Sequence, residues 1–207
     1  MALEHLVAST LCGFAKLVTG VRALWHGGPP DERQRIYFAN HSSHGDFLLI
    51  WASLPLYLRG QTRPVAAADY WLRDPLRRYL AQRVFRSVLI DRTALLREHS
   101  PVALMGAALQ RGESLIIFPE GTRNLGDGVQ PFKSGIYHLA SANPAVELVP
   151  VWIENLGRAM PKGALLPVPL LCTLRFGPPI RIAGNEGKQE FLKRAQDALL
   201  ALAPPAD

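Results

Sequence analysis

Short, bounded apolar runs alternate with helical repeats along most of this chain, and that alternation restricts the fold more than any other feature. Residues 36–39, 65–68, 87–90, 115–118, 148–153 and 172–176 are compact apolar runs bounded by turn residues, the pattern of buried strands. Between them lie segments of helical spacing. Residues 45–56 read as a turn into a helix that ends near Pro55. Asp74-Pro75 opens a second helix carrying Leu76, Tyr79, Leu80 and Val84, with a capping carboxylate and a proline at the first helical position. Ser100-Pro101 opens a third, closed by Gly112, and a last helix carries Phe191, Leu192, Ala195, Leu199 and Leu202. A further short run, 180–182, follows Gly177-Pro178-Pro179. Strands alternating with helices in 207 residues predict one α/β sandwich, a mixed and mostly parallel sheet flanked by helices. With no internal repeat or low-complexity tract, the expected organisation is a single domain over 29–207 preceded by a helix within 1–28.

That first segment carries Leu3, Val7, Leu11, Phe14, Val18, Val21 and Trp25, spaced by four or three. The spacing predicts an amphipathic helix over 1–25, which Gly27-Gly28-Pro29-Pro30 ends as a hinge. Two readings stay open: a helix packed on the domain's core, or a helix in a membrane interface with Trp25 near the headgroups. The longest apolar-looking run, 48–58, is too short to span a bilayer. Glu4 and His5 interrupt the N-terminal apolar run, so no secretory leader is expected. Cys12 and Cys172 lie far apart, which excludes a disulfide scaffold and a zinc site built from cysteine pairs.

Lys and Arg number 23 against 17 Asp and Glu, and 18 of the cations are Arg, so an anionic partner is expected. From Arg59 to Arg97, nine Arg face three Asp. Such a patch suits the phosphates of a ligand, an acidic protein or anionic headgroups. It has few interleaved aromatics and no recognisable nucleic-acid motif, so nucleic acid is not expected as a partner. For most of these Arg individually, a solvated face is the simpler reading.

Four constellations carry chemistry. Asn40-His41-Ser42-Ser43-His44-Gly45-Asp46 follows a strand, where α/β sheets place ligand sites. A tight turn lets Asp46 hold one ring nitrogen of His41, leaving the other free to take a proton. His44 is read as a turn residue. A metal reading with His41, His44 and Asp46 stands as the rival, but the spacing does not converge all three, and no metal or cofactor is expected. Phe118-Pro119-Glu120-Gly121-Thr122-Arg123 ends another strand; its glycine permits a sharp bend, and Arg123 offers a bidentate clamp for phosphate. Val88-Leu89-Ile90-Asp91-Arg92 is a strand ending in Arg92. In Val149-Pro150-Val151-Trp152 a proline interrupts an apolar strand, which suggests an edge, a strand start or a bulge.

Taken in chain order, His41/Asp46, then Asp91-Arg92, then Glu120-Gly121-Thr122-Arg123, then Val149-Pro150, the four blocks, spanning residues 40–152, resemble the glycerolipid acyltransferase family, bacterial 1-acylglycerol-3-phosphate acyltransferases in particular. The block ending in Asp91-Arg92, read from Phe85, lacks the glycine common at its start in that family. The resemblance implies that His41 abstracts the proton of a lysophospholipid hydroxyl while Asp46 orients it. It further implies that Arg92, Glu120, Gly121, Thr122 and Arg123 bind the glycerol-phosphate end and that Pro150 shapes the acyl-donor side. The implied reaction moves an acyl group from acyl-CoA or acyl-carrier protein to the sn-2 hydroxyl of lysophosphatidate, giving phosphatidate. The alternatives are another lyso-lipid acceptor, such as lyso-ornithine lipid or lysophosphatidylethanolamine, and a metal-dependent hydrolase. No serine stands in a Gly-x-Ser-x-Gly elbow, so direct transfer without an acyl-enzyme is expected. The expected location is peripheral, on the cytoplasmic face of the inner membrane.

Overall fold

The computed structural model describes residues 2–43, 45–91, 100–124, 126, 128–154 and 171–205. Helix α1 (Ala2–Thr19) leads into β1 (Arg22–Trp25), β2 (Arg35–Ala39), α2 (Asp46–Ser53), α3 (Leu56–Arg59) and β3 (Thr62–Ala67). Then come α4 (Ala68–Trp71), α5 (Pro75–Tyr79) running into a π-helical turn (Leu80–Val84), β4 (Val88–Ile90) and α6 (Pro101–Gln110). The chain closes with β5 (Ser114–Ile117), α7 (Gly135–Ala142), β6 (Glu147–Glu154), β7 (Thr173–Phe176) and α8 (Lys188–Leu200). Among the described residues the strands form one seven-stranded sheet, β1-β7-β6-β2-β5-β3-β4. Every neighbouring pair is parallel except β6 with β7. This is the mixed, mostly parallel α/β sandwich that the alternating pattern predicts.

The central strands are apolar throughout because both faces of the sheet are covered. All of β2 and β5 is buried. Along β2 the side chains alternate: Ile36 and Phe38 join a core with Met105, Leu139 and Phe191, whereas Tyr37 and Ala39 join one with Ile50, Trp51, Leu54 and Phe85. Asp74 and Ser100 cap their helices as expected, accepting from the N–H groups of Arg77 and Ala103.

Three expectations are corrected. Helix α1 ends at Thr19 rather than running to Trp25, and Gly20, at φ +51°, turns the chain out of it. Arg22–Trp25 instead pairs with β7, and Trp25 stacks on Phe176 with ring centroids 3.8 Å apart. Val21 and Trp25 keep helical spacing by coincidence, and only the partner strand reveals the difference. Residues 180–182 form no strand; Ile180 makes one isolated bridge to Leu148. Pro150 lies in a central strand, not at an edge, paired with Phe38 on β2. On its other side β7 has given way to the 177–179 turn, where the Pro150 carbonyl accepts from Gly177 N–H, so the missing N–H interrupts no ladder.

The segment 27–30 is therefore a connector between β1 and β2 and not the end of a helix. It crosses the 177–178 turn so closely that a Cβ on Gly27 would fall 2.5 Å from the Gly177 carbonyl oxygen and 2.9 Å from Pro178 Cα. Both are backbone atoms that cannot rotate away. Gly27→Ala is expected to destabilise the protein by about 1–3 kcal/mol, as overpacking does. A urea midpoint equal to wild type would show that the crossing relaxes freely.

Because β2, β3, β4 and β5 are parallel, their C-terminal ends lie on one side of the sheet. The segments that leave those ends carry three of the four sequence blocks.

Candidate active site

At the end of β2, Asn40 pins the strand to β6: its Nδ2 donates to the Ile153 carbonyl at 2.9 Å and its Oδ1 accepts from Ile153 N–H at 2.8 Å. The chain then leaves the sheet and turns into α2. In the first turn of that helix Asp46 is fully buried, and its Oδ2 accepts from the N–H groups of Ser42 at 2.7 Å and Ser43 at 2.9 Å. The same oxygen faces His41 Nδ1 at 2.8 Å. An oxygen already accepting two N–H groups acts as an acceptor toward the ring too, so Nδ1 carries the hydrogen and Nε2 is left as the basic nitrogen. The His41 ring lies over Phe118, centroids 4.2 Å apart and planes 19° apart.

The Phe118–Arg123 block closes on the His41 block. Phe118-Pro119-Glu120-Gly121 is a β-turn, with Pro at its second position and Gly121 N–H donating to the Phe118 carbonyl at 3.0 Å. Glu120, 2% exposed, accepts from His41 N–H at 2.8 Å through Oε1 and from Gln130 N–H at 2.9 Å through Oε2. Burial holds its carboxyl above the ordinary carboxylate range. The His41 carbonyl in turn accepts from Asn124 N–H at 2.7 Å. The backbone of His41 is thus gripped on both sides by the segment 120–124. Gly121, at φ +70°, bends the chain under the side chain of Lys133.

His41 lines a cavity of about 540 Å³ at this end of the sheet. Val65, Ile90, Met105, Ile117 and Ile136 supply apolar wall, while Arg73, Arg123, Lys133 and the carboxylate of Asp69 supply charge. Gly121 and Thr122 also line it. The sequence-predicted residues His41, Asp46, Glu120, Gly121, Thr122 and Arg123 therefore come together. Pro150 does not line the cavity; it faces Gly177 within the sheet. Arg92 and His44 lie outside the described residues, although β4 ends on Ile90 in the cavity wall.

The basic stretch is less solvated than its composition suggests. Arg59 donates to the carbonyls of Leu54 and Ala52 at the end of α2. Arg63 is buried against Glu113, and Arg77 pairs with Asp74 and covers the Tyr70 ring. Arg73 is the described member of the stretch that reaches the cavity.

A family model described as Acyltransferase matches residues 25–154, more than half of the chain and all four blocks. The chain belongs to the Acyltransferase family. It is 32% identical over 127 residues to the 1-acyl-sn-glycerol-3-phosphate acyltransferase of Salmonella typhimurium, covering 58% of this chain and 46% of that one. It is 29% identical over 175 residues to the enzyme of that name from Cocos nucifera, covering 79% and 54%. This acyltransferase-family chain spans about half the length of these curated relatives. The crystal structure of the 1-acyl-sn-glycerophosphate (LPA) acyltransferase PlsC from Thermotoga maritima superposes with a TM-score of 0.74 over 96% of this chain and 79% of that one. At 22% identity that likeness shows the shared fold.

Sequence reasoning missed several residues of this acyltransferase-family site. Asn40 entered only as the start of its block, and its side-chain amide bonds the backbone of Ile153, while Asn124 holds the His41 carbonyl through its own N–H, which no side-chain motif announces. Lys133 follows the buried Phe132 and precedes α7, and a lone lysine beside a buried aromatic was the one available signal.

Proposed function

We propose that this chain transfers a fatty acyl group from a thioester donor, acyl-CoA or acyl-carrier protein, to the sn-2 hydroxyl of lysophosphatidate. The product is phosphatidate, in phospholipid biosynthesis. One observation carries this reading: His41, with Nδ1 held by the buried Asp46, borders a cavity that joins apolar walls to the cations Arg123 and Lys133. A lyso-lipid with an anionic head needs both surfaces beside a base. The activity for which the curated relatives are named, 1-acyl-sn-glycerol-3-phosphate acyl transfer, supports it.

Nε2 of His41 takes the hydroxyl proton as the oxygen attacks the thioester carbon, and Asp46 stabilises the imidazolium that forms. When the tetrahedral intermediate collapses, the C–S bond breaks, the ester C–O bond remains, and His41 returns the proton to the departing thiolate. The acyl group passes directly between substrates. Burial pushes the Cys12 thiol up and the Cys172 thiol up to about 11, which makes both poor nucleophiles. Arg123, and Arg92 by the resemblance, grip the acceptor's phosphate, with Gly121 and Thr122 shaping the turn beside it. Glu120 acts through the His41 backbone, and Pro150 through the sheet.

Among the described residues no helix is long and apolar enough to cross a membrane. Helix α1 buries Cys12 and Ala15 on the domain yet leaves Leu3, Leu6, Phe14 and Leu17 exposed. That outer face suits peripheral contact with a bilayer, proposed here as the cytoplasmic face of the inner membrane. Combining Leu6→Glu, Phe14→Glu and Leu17→Glu is expected to weaken binding to phosphatidylglycerol-containing vesicles by more than about tenfold at unchanged circular dichroism. Undiminished sedimentation with vesicles would remove α1 from the contact.

The deciding experiment incubates purified protein with both donor types and a panel of lyso-lipids, with products resolved by mass spectrometry. Phosphatidate formed from lysophosphatidate, undiminished by EDTA, is the expected result. Preference for lyso-ornithine lipid or lysophosphatidylethanolamine would reassign the acceptor. Hydrolysis that EDTA abolishes would overturn the reaction.

A further inference from the structure

Lys133 occupies a space that the backbone keeps open for it. A Cβ built on Gly121 would fall 2.8 Å from Cδ, Cε and Nζ of Lys133, so the lysine stem crosses directly over the Glu120-Gly121 turn. The segment leading to it is clipped to the same turn: Gln130 N–H donates to Glu120 Oε2 and Lys133 N–H to the Pro119 carbonyl, each at 2.9 Å. Between them Phe132 is buried edge-on against Phe38. None of these contacts uses the ammonium group. Among the described residues it has no hydrogen-bond or ion-pair partner, and neither has the guanidinium of Arg123. Both line the cavity that His41 borders.

We infer that Lys133 is a second anion ligand beside Arg123, and that the two together select an acceptor bearing a terminal phosphate monoester over one bearing a phosphodiester. The inference rests on the acyl-transfer reading of the site and names the head group it takes. A phosphate monoester carries about −1.5 to −2 at neutral pH, whereas a diester carries a single charge. Arg123 supplies a planar fork and Lys133 a compact point charge, two cations for a near-dianion. The bare backbone of Gly121 makes room for this arrangement, since any side chain there would displace the ammonium from the turn.

The test compares wild type, Lys133→Gln and Lys133→Arg as full chains, using lysophosphatidate, lysophosphatidylethanolamine and monoacylglycerol as acceptors. In Lys133→Gln, KM for lysophosphatidate is expected to rise about ten- to a hundredfold, the range of a charge-assisted contact, with the larger part of the loss in KM rather than kcat. The preference over the other two acceptors narrows by a similar factor, and Lys133→Arg recovers most of it. Equal loss on all three acceptors, or a rise confined to the donor's KM, overturns the inference. Calorimetry with glycerol 3-phosphate separates it from the activity. Tighter binding by wild type than by Lys133→Gln supports the site even if no lyso-lipid is acylated, an outcome that would sink the proposed reaction alone. Equal binding by both proteins, with acyl transfer intact, removes Lys133 from the site.

Discussion

Replacing His41 with Ala should lower turnover by about 10²–10⁴-fold, the contribution of a positioned general base, while the protein melts close to the wild-type temperature. The ring makes a stacking contact with Phe118 and one hydrogen bond to Asp46, but the backbone at this position is held independently by Glu120 and Asn124. Removing the imidazole therefore empties the site without releasing the loop. Acceptor affinity should survive, because the proposed phosphate ligands Arg123 and Lys133 are left in place. Asp46→Asn separates orientation from charge. An amide oxygen can still accept from Ser42, Ser43 and the ring, but it does not offset the positive charge of an imidazolium. Its kcat should fall with the acceptor's KM little changed. Steady-state kinetics beside thermal melts decide the matter; a His41→Ala protein turning over at the wild-type rate would end the general-base assignment.

Glu120→Ala is expected to damage stability and activity together. Its carboxylate is 2% exposed and satisfies two backbone donors, His41 N–H and Gln130 N–H. Each donor left unpaired in a buried site costs about 1–3 kcal/mol, and one of them belongs to His41, the proposed general base. The segment that delivers Lys133 is released by the same change. Glu120→Gln keeps one acceptor but turns an NH₂ group toward the other N–H, so it should fall between Ala and wild type. The pH dependence has a definite sign. Burial raises the folded-state pKa of Glu120 above its unfolded value, so holding the ionised form costs stability. That cost is absent below the ordinary carboxylate pKa and complete above the raised one. The stability advantage of wild type over Glu120→Gln should therefore shrink as pH rises through this window, in urea titrations run at several pH values. An advantage that instead grows with pH would mean Glu120 is stabilised as the anion.

The pairing of His41 with Asp46 was legible because it is local: five residues, one turn and a helix start confine the two side chains to each other. The order of the strands' apolar runs was legible for a similar reason, since a strand buried on both faces must be apolar along its length. Glu120 shows where this stops. Its residue type beside Gly121 and Arg123 marked a site, but whether its oxygens meet a ligand or the His41 backbone depends on how β2 and β5 lie side by side. Arg59 and Arg63 entered as members of a charged stretch, and only the helix end and the Glu113 carboxylate beside them show that they serve the fold.

Spacing and residue type alone were enough for the α/β class, the pairing of His41 with Asp46, and the glycine-bearing turn, all of which follow from contacts within a few residues. The end of α1 at Thr19, the strand Arg22–Trp25, the central place of Pro150 and the arrival of Lys133 over Gly121 were decided by tertiary structure. Each depends on a partner far along the chain, and no local propensity carries information about which distant strand or turn will be the neighbour.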